Sequence, residues 1–139
     1  MRSISYFFFY TYVGLVCLAG LWGAFGLARM DYSLLMQADL AVLKDRAEVN
    51  VLSQYRFLRA LELGFGLFAL SFVKEIFSER KFNHLFLGIM GMGILARVVS
   101  LFYEGTPNSM MLFFMLYELA GLILIFVYTR QTIRDYAPA

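Results

Sequence analysis

The chain has 139 residues, 61% hydrophobic and 16% charged, with a net charge of +2 and a mean hydropathy of +0.70. Soluble chains average roughly 45–50% apolar and about 25% charged, and one small domain has too much surface to hide such an excess, which also rules out disorder. A membrane protein is implied, in which twelve basic and ten acidic residues need polar places.

The first apolar run, Tyr6 to Ala28, carries no charge. At 1.5 Å per residue it reaches about 35 Å, enough to cross a hydrocarbon core of roughly 30 Å with some tilt. It opens on Phe7, Phe8, Phe9, Tyr10 and Tyr12, a cluster suited to a membrane interface. Gly20, Ala24 and Ala28 form a small-residue stripe along which another helix can approach closely. The run is longer than a signal-peptide core and has no clear cleavage signal, so its retention is expected.

Residues 29–54 are the one long hydrophilic connection. Leu34, Leu35, Ala38, Ala41 and Val42 recur at helical spacing and predict a short amphipathic helix lying on the membrane surface. A folded cap over the bundle end is the alternative. The second span covers residues 55–73, with Arg59 and Glu62 one helical turn apart inside it. Lys74 to His84 read as a polar turn, with Ser78 and Asn83 as N-cap candidates. The third span, 85–103, is thinned by Gly88, Gly91 and Gly93 and contains Arg97. Glu104 to Ser109 is a tight turn with the right breakers. The fourth span, 110–128, contains Glu118, and a polar tail ending near Pro138 follows. The expected architecture is all-α: a single transmembrane domain, an integral membrane four-helix bundle with no internal repeat and no sheet.

Lys and Arg in short loops set orientation. With four spans both termini share a side, which collects Arg2, Lys74, Arg80, Lys81, Arg130 and Arg134. The other side has Arg29, Lys44 and Arg46, with Arg56 at its boundary. Both termini are therefore expected in the cytoplasm.

Four ionisable residues fall inside the spans: Arg59, Glu62, Arg97 and Glu118. A charge at the centre of a span costs roughly 2.5–3.5 kcal/mol on insertion scales, so four require compensation. Counting residues from the shared membrane face puts all four roughly 6–12 Å deep in one layer. Helical phase lines up Tyr55, Arg59, Glu62, Gly66 and Ala69; it groups Arg97 with Gly93, Ser100 and Glu104, and Glu118 with Phe114, Gly121 and Ile125. A buried, net-neutral Arg–Glu network toward the non-cytoplasmic end is predicted, rimmed by Tyr55, Arg56, Tyr103, Glu104 and Tyr117. It acts either as glue fixing helix register or as a polar pocket for a head group or a proton.

Other chemistry finds little support. Cys17 and His84 are the only cysteine and histidine, so there is no intramolecular disulfide and no His/Cys zinc site. No Walker loop, nucleophile elbow or HExxH motif occurs. The basic residues form no stripe for nucleic acid. No cofactor or metal is expected, and the reading leans away from an enzyme. His84 is expected at the cytoplasmic edge and Cys17 as an apolar filler.

The stretch from Tyr55 to Leu67, then Ala96 to Ser100 ahead of Glu104-Gly105-Thr106-Pro107, then Tyr117-Glu118-Leu119, resembles a bacterial four-span membrane family known as domain-of-unknown-function family 4345. The resemblance covers most of the chain, its motif residues are those of the charged layer, and it implies that the membrane is the bacterial inner membrane. More distantly, the four-span plan looks like that of the DoxX/DoxD-like membrane proteins, some of which are associated with quinone-linked sulfur or redox chemistry. With one cysteine this chain lacks the thiols for such chemistry, and no activity is carried over.

Three functions fit these features. The first is a non-enzymatic membrane module: a subunit, assembly factor or lipid-organising protein, with a homo-oligomer or larger membrane complex meeting its glycine-rich faces. The second is a binder or carrier of an amphipathic molecule such as a lipid or quinone, its head at the charged layer. The third, ranked below these, is a proton-coupled small transporter working as a dimer, because no span is broken by proline or an unwound polar stretch.

Overall fold

A computed structural model describes the backbone of residues 1–135 and the side chains of residues 1–133. The described residues form six α-helices, a short 3-10 turn and no strand. The helices are α1 (Arg2–Phe25), α2 (Ala28–Met36), α3 (Asp45–Ser71), α4 (Val73–Ser78), α5 (Arg80–Tyr103) and α6 (Ser109–Asp135). Three segments are long and apolar enough to cross a membrane: Arg2–Phe25, Arg80–Tyr103 and Ser109–Ile133. Most of their residues lie on the outside of the protein, so the apolar surface that composition demands be covered is turned outward. In α3 the three charges Arg56, Arg59 and Glu62 fall within the stretch expected to span, and α3 does not meet the same standard of apolarity.

The chain divides into two compact units, residues 1–12 with 69–139, and residues 13–68. In the first, α4, α5 and α6 pack on one another. The fully buried Phe9 ring meets Phe77 at 5.3 Å and Phe86 at 5.2 Å, and Tyr6 stacks on Phe77 at 4.1 Å. The aromatic cluster at the start of α1 is thus divided: Phe9 is core, whereas Phe7 and Tyr10 are exposed. The buried faces of α5 and α6 are Asn83, Phe86, Met90 and Ile94, and Gly121, Ile125 and Thr129. Their spacing of three and four residues is that of one helical stripe.

In the second unit the later part of α1 lies against α3. A Cβ on Gly20 would sit 2.7 Å from the Leu63 nitrogen and 2.8 Å from the Arg59 carbonyl oxygen. Gly20 and Ala24 are buried on α1, and the close approach that the small-residue stripe predicts is made at Gly20; the span expected to run to Ala28 ends at Phe25, and Ala28, also buried, opens α2. Cys17 packs its sulfur directly on Gly66.

Several boundaries differ from expectation. No single amphipathic helix covers residues 34–42. α2 ends at Met36 because Gln37 turns left-handed (φ 52°), and a 3-10 turn, Leu40–Val42, follows, capped by Asp39 accepting from the Ala41 amide at 2.8 Å. Of that segment Leu40 is buried, whereas Leu34 and Val42 are exposed. The polar turn predicted at 74–84 is instead α4 and the first turn of α5, since Ile76 and Phe77 are core residues. Neither predicted N-cap serves as one. Glu79 holds that position without a side-chain bond, Ser78 donates back to the Lys74 carbonyl, and Asn83 lies within α5. The turn at 104–108 fits its breakers: Gly105 takes φ 98°, open to glycine at no steric cost, and the Asn108 side chain accepts from the Met111 amide at 2.9 Å to cap α6. α6 runs through the predicted tail to Asp135, with Thr129 fully buried; Pro138 lies outside the described residues.

Candidate functional site

α3 turns Tyr55, Arg59, Gly66 and Ala69 to the buried side, with Glu62 half-buried on the same stripe. Arg59 is 7% exposed. Its Nε donates to Asp31 Oδ2 at 2.8 Å and to the Tyr55 hydroxyl at 3.0 Å, and one terminal nitrogen donates to Glu62 Oε2 at 2.6 Å. The Tyr55 hydroxyl donates to the same Asp31 oxygen at 2.7 Å, and the Arg59 guanidinium carbon lies 5.2 Å from the centre of the Tyr55 ring. Tyr32 meets that ring edge-on at 5.2 Å. Such charge-assisted bonds are about twice as strong as neutral ones, and here they hold a cation away from solvent.

Glycine makes the cluster possible. A Cβ on Gly23 would fall 2.5 Å from both Arg59 Cγ and Asp31 Oδ2. Arg56, expected on the rim, instead donates to the Ala24 carbonyl at 2.7 Å and the Gly26 carbonyl at 3.3 Å. It caps the C-terminal end of α1, where unpaired carbonyls and the helix dipole favour a cation. Arg29 pairs with Glu48 in the same unit.

The other pair lies between α5 and α6, where Arg97 Nε stands 3.4 Å from Glu118 Oε2. Glu118 lies on the inward face with Gly121 and Ile125, as predicted, its side chain 16% exposed. Arg97 is 38% exposed, and the Gly93 and Ser100 that share its face point outward. The α5 core stripe runs through Met90 and Ile94 and places Arg97 at its margin rather than within it. Tyr117 bonds its hydroxyl to that of Thr11 and stacks on Phe8 at 5.1 Å. Tyr103 and Glu104 lie exposed at the end of α5.

The four charges are therefore paired two by two, Arg59 with Glu62 and Arg97 with Glu118. Sequence reasoning missed Asp31, the carboxylate that also holds Tyr55, because it lies in a connection whose composition reads as solvated. A signal was present: Asp31 is the first acid after the first span, and Gly23 leaves room beside that span's end. Among the described residues no group of three or more His, Cys, Asp or Glu is arranged to hold a metal ion.

Fold and site define an all-helical protein with helices fit for a membrane and ion pairs fixed within its units. The chain matches Domain of unknown function (DUF4345) over residues 12–129 and belongs to that family. No curated protein and no solved structure is significantly similar to it.

Proposed function

We propose that the chain is a small non-enzymatic module of the bacterial inner membrane, crossing it four times with both termini in the cytoplasm. It serves as a subunit, assembly or lipid-organising component, and its intramembrane charges act as staples between helices. The observation that carries this reading is the enclosure of Arg59: Asp31 and Tyr55 accept from its Nε and Glu62 from one terminal nitrogen, inside one unit that leaves it 7% exposed. A guanidinium committed to its own chain is poorly placed to receive a ligand's head group. Pairing also lowers the cost of carrying it in lipid, where the alternative is an unpaired charge. Arg97 and Glu118 are assigned the same role across α5 and α6.

Charge exchange tests the assignment. Glu118→Arg alone is expected to abolish stable accumulation in membranes, and Arg97→Glu together with Glu118→Arg to restore part of it. Indifference to the single change would overturn the staple. So would a stoichiometric quinone or lipid, found by mass spectrometry of the purified chain, that disappears in Arg59→Gln or Arg97→Gln.

A further inference from the structure

A cleft of about 340 Å³ opens in the larger unit between the start of α5 and the end of α6. Its volume lies within the roughly 300–1,000 Å³ of small-ligand pockets. Arg80 and His84 line it from α5, and Arg130 from α6. Among the described residues no acidic side chain lines it, and neither Arg80 nor Arg130 is in an ion pair. The N-terminus of α5, which no side chain caps, adds the positive end of its dipole. The floor is fixed: Thr129, fully buried, donates to the Ile125 carbonyl at 2.8 Å and lies 3.3 Å from Asn83 Oδ1, while Asn83 Nδ2 donates to the Ile76 carbonyl at 3.0 Å. Phe126, one turn before Arg130 and 44% exposed, supplies an apolar wall. Basic groups at helix ends above an apolar wall match an amphiphile with an anionic head.

We infer that this cleft binds a phosphate-bearing anion, with Arg80, His84 and Arg130 receiving the phosphate. Phe126 favours a lipid source, the head group of an anionic phospholipid. The lipid source rests on the membrane reading given above, which places this end of the helices at the cytoplasmic leaflet. There, basic pockets between helices recognise anionic head groups.

The test uses the full chain, purified in detergent and offered phosphatidylglycerol or phosphatidylcholine, with retention read by native mass spectrometry. The expected result is preferential retention of phosphatidylglycerol, weakened about fivefold for each arginine removed in Arg80→Gln and Arg130→Gln. Arg2→Gln with Lys74→Gln, in a separate cleft lined from residues 2–10 and 70–75, is expected to leave the preference intact, and Arg80→Lys with Arg130→Lys to keep most of it. If glycerol phosphate protects the chain against heat and competes at equal concentration, the anion site stands and its source is soluble. Equal retention of both lipids without any effect of glycerol phosphate overturns the site, as does an unchanged preference in the double glutamine variant. Resistance of the chain to alkaline extraction from membranes is scored separately. A chain that washes off refutes the membrane reading, whereas one that stays embedded without preference refutes only this cleft.

Discussion

Arg59 shows how one residue draws a structure around itself. Its exposure of 7% is sustained by two carboxylates and a hydroxyl, and Asp31 accepts from both Arg59 and Tyr55. Breaking a buried pair leaves the surviving charge uncompensated, at about 3–5 kcal/mol. Glu62 still pairs with Arg59 when Asp31 is lost, so Asp31→Ala is expected to lower thermal stability in detergent by about 1–3 kcal/mol, and Glu62→Gln by less because its side chain is 33% exposed. In a double-mutant cycle Asp31→Ala is expected to be much milder in an Arg59→Met background. Glycines give a sharper contrast. Gly23→Ala would drive a methyl into Arg59 and Asp31, whereas a methyl at Gly93 meets nothing within 4 Å. The first is expected to cost about 1–3 kcal/mol and the second to cost nothing and gain up to about 1 kcal/mol from alanine's higher helix propensity, both read from melting curves. Arg59 and Glu62 were legible because each lies on a stripe with small residues inside an apolar run. Asp31 was not, because it reaches Arg59 across 28 positions of chain and no local pattern reports a contact of that range.

At the scale of elements, the long helices were legible from apolar runs and the short ones were not. The turn at 104–108 was marked by Gly105 and Pro107 and falls where they put it. α4 has six residues, too few to show a period, and its charges suggested a solvated loop. What makes it an element is tertiary: Ile76 and Phe77 are buried, and Asn83 reaches back to the Ile76 carbonyl. Thr129 completes this junction from α6. Thr129→Val keeps the shape and removes the hydroxyl, leaving Asn83 Oδ1 buried without that partner. A loss of about 1–3 kcal/mol is expected, with faster proteolysis at residues 73–79 as the local readout. If the variant melts and digests like the parent, the junction contributes no stability and α4 is held by its apolar contacts alone.

For the whole molecule the number of crossings decides topology, and α3 decides the number. Three helices meet the length and apolarity of a span without qualification; α3 carries Arg56, Arg59 and Glu62 in the segment concerned. On composition alone those charges argue against crossing, at roughly 2.5–3.5 kcal/mol each at mid-span. Their placement argues the other way. Arg59 and Glu62 bond each other on the inner stripe, and Arg56 caps the end of α1. The outer face of α3 presents Phe57, Leu58, Leu61, Leu67 and Leu70, all exposed, a surface that lipid would cover. From Tyr55 to Ser71 the helix rises about 25 Å, near the lower limit for a span. A periplasm-dependent phosphatase inserted near Lys44 is therefore expected to be active, and one inserted near Glu79 inactive. A fluorescent reporter that folds only in the cytoplasm is expected to report from both the N- and the C-terminus. If α3 did not cross, the insertions at Lys44 and Glu79 would report the same side and the two termini opposite sides. Because the loop basic residues outnumber their counterparts only six to four when Arg56 is counted, replacing Arg80, Lys81 and Arg130 with glutamine is expected to produce a mixed orientation, seen as phosphatase activity at both insertion sites.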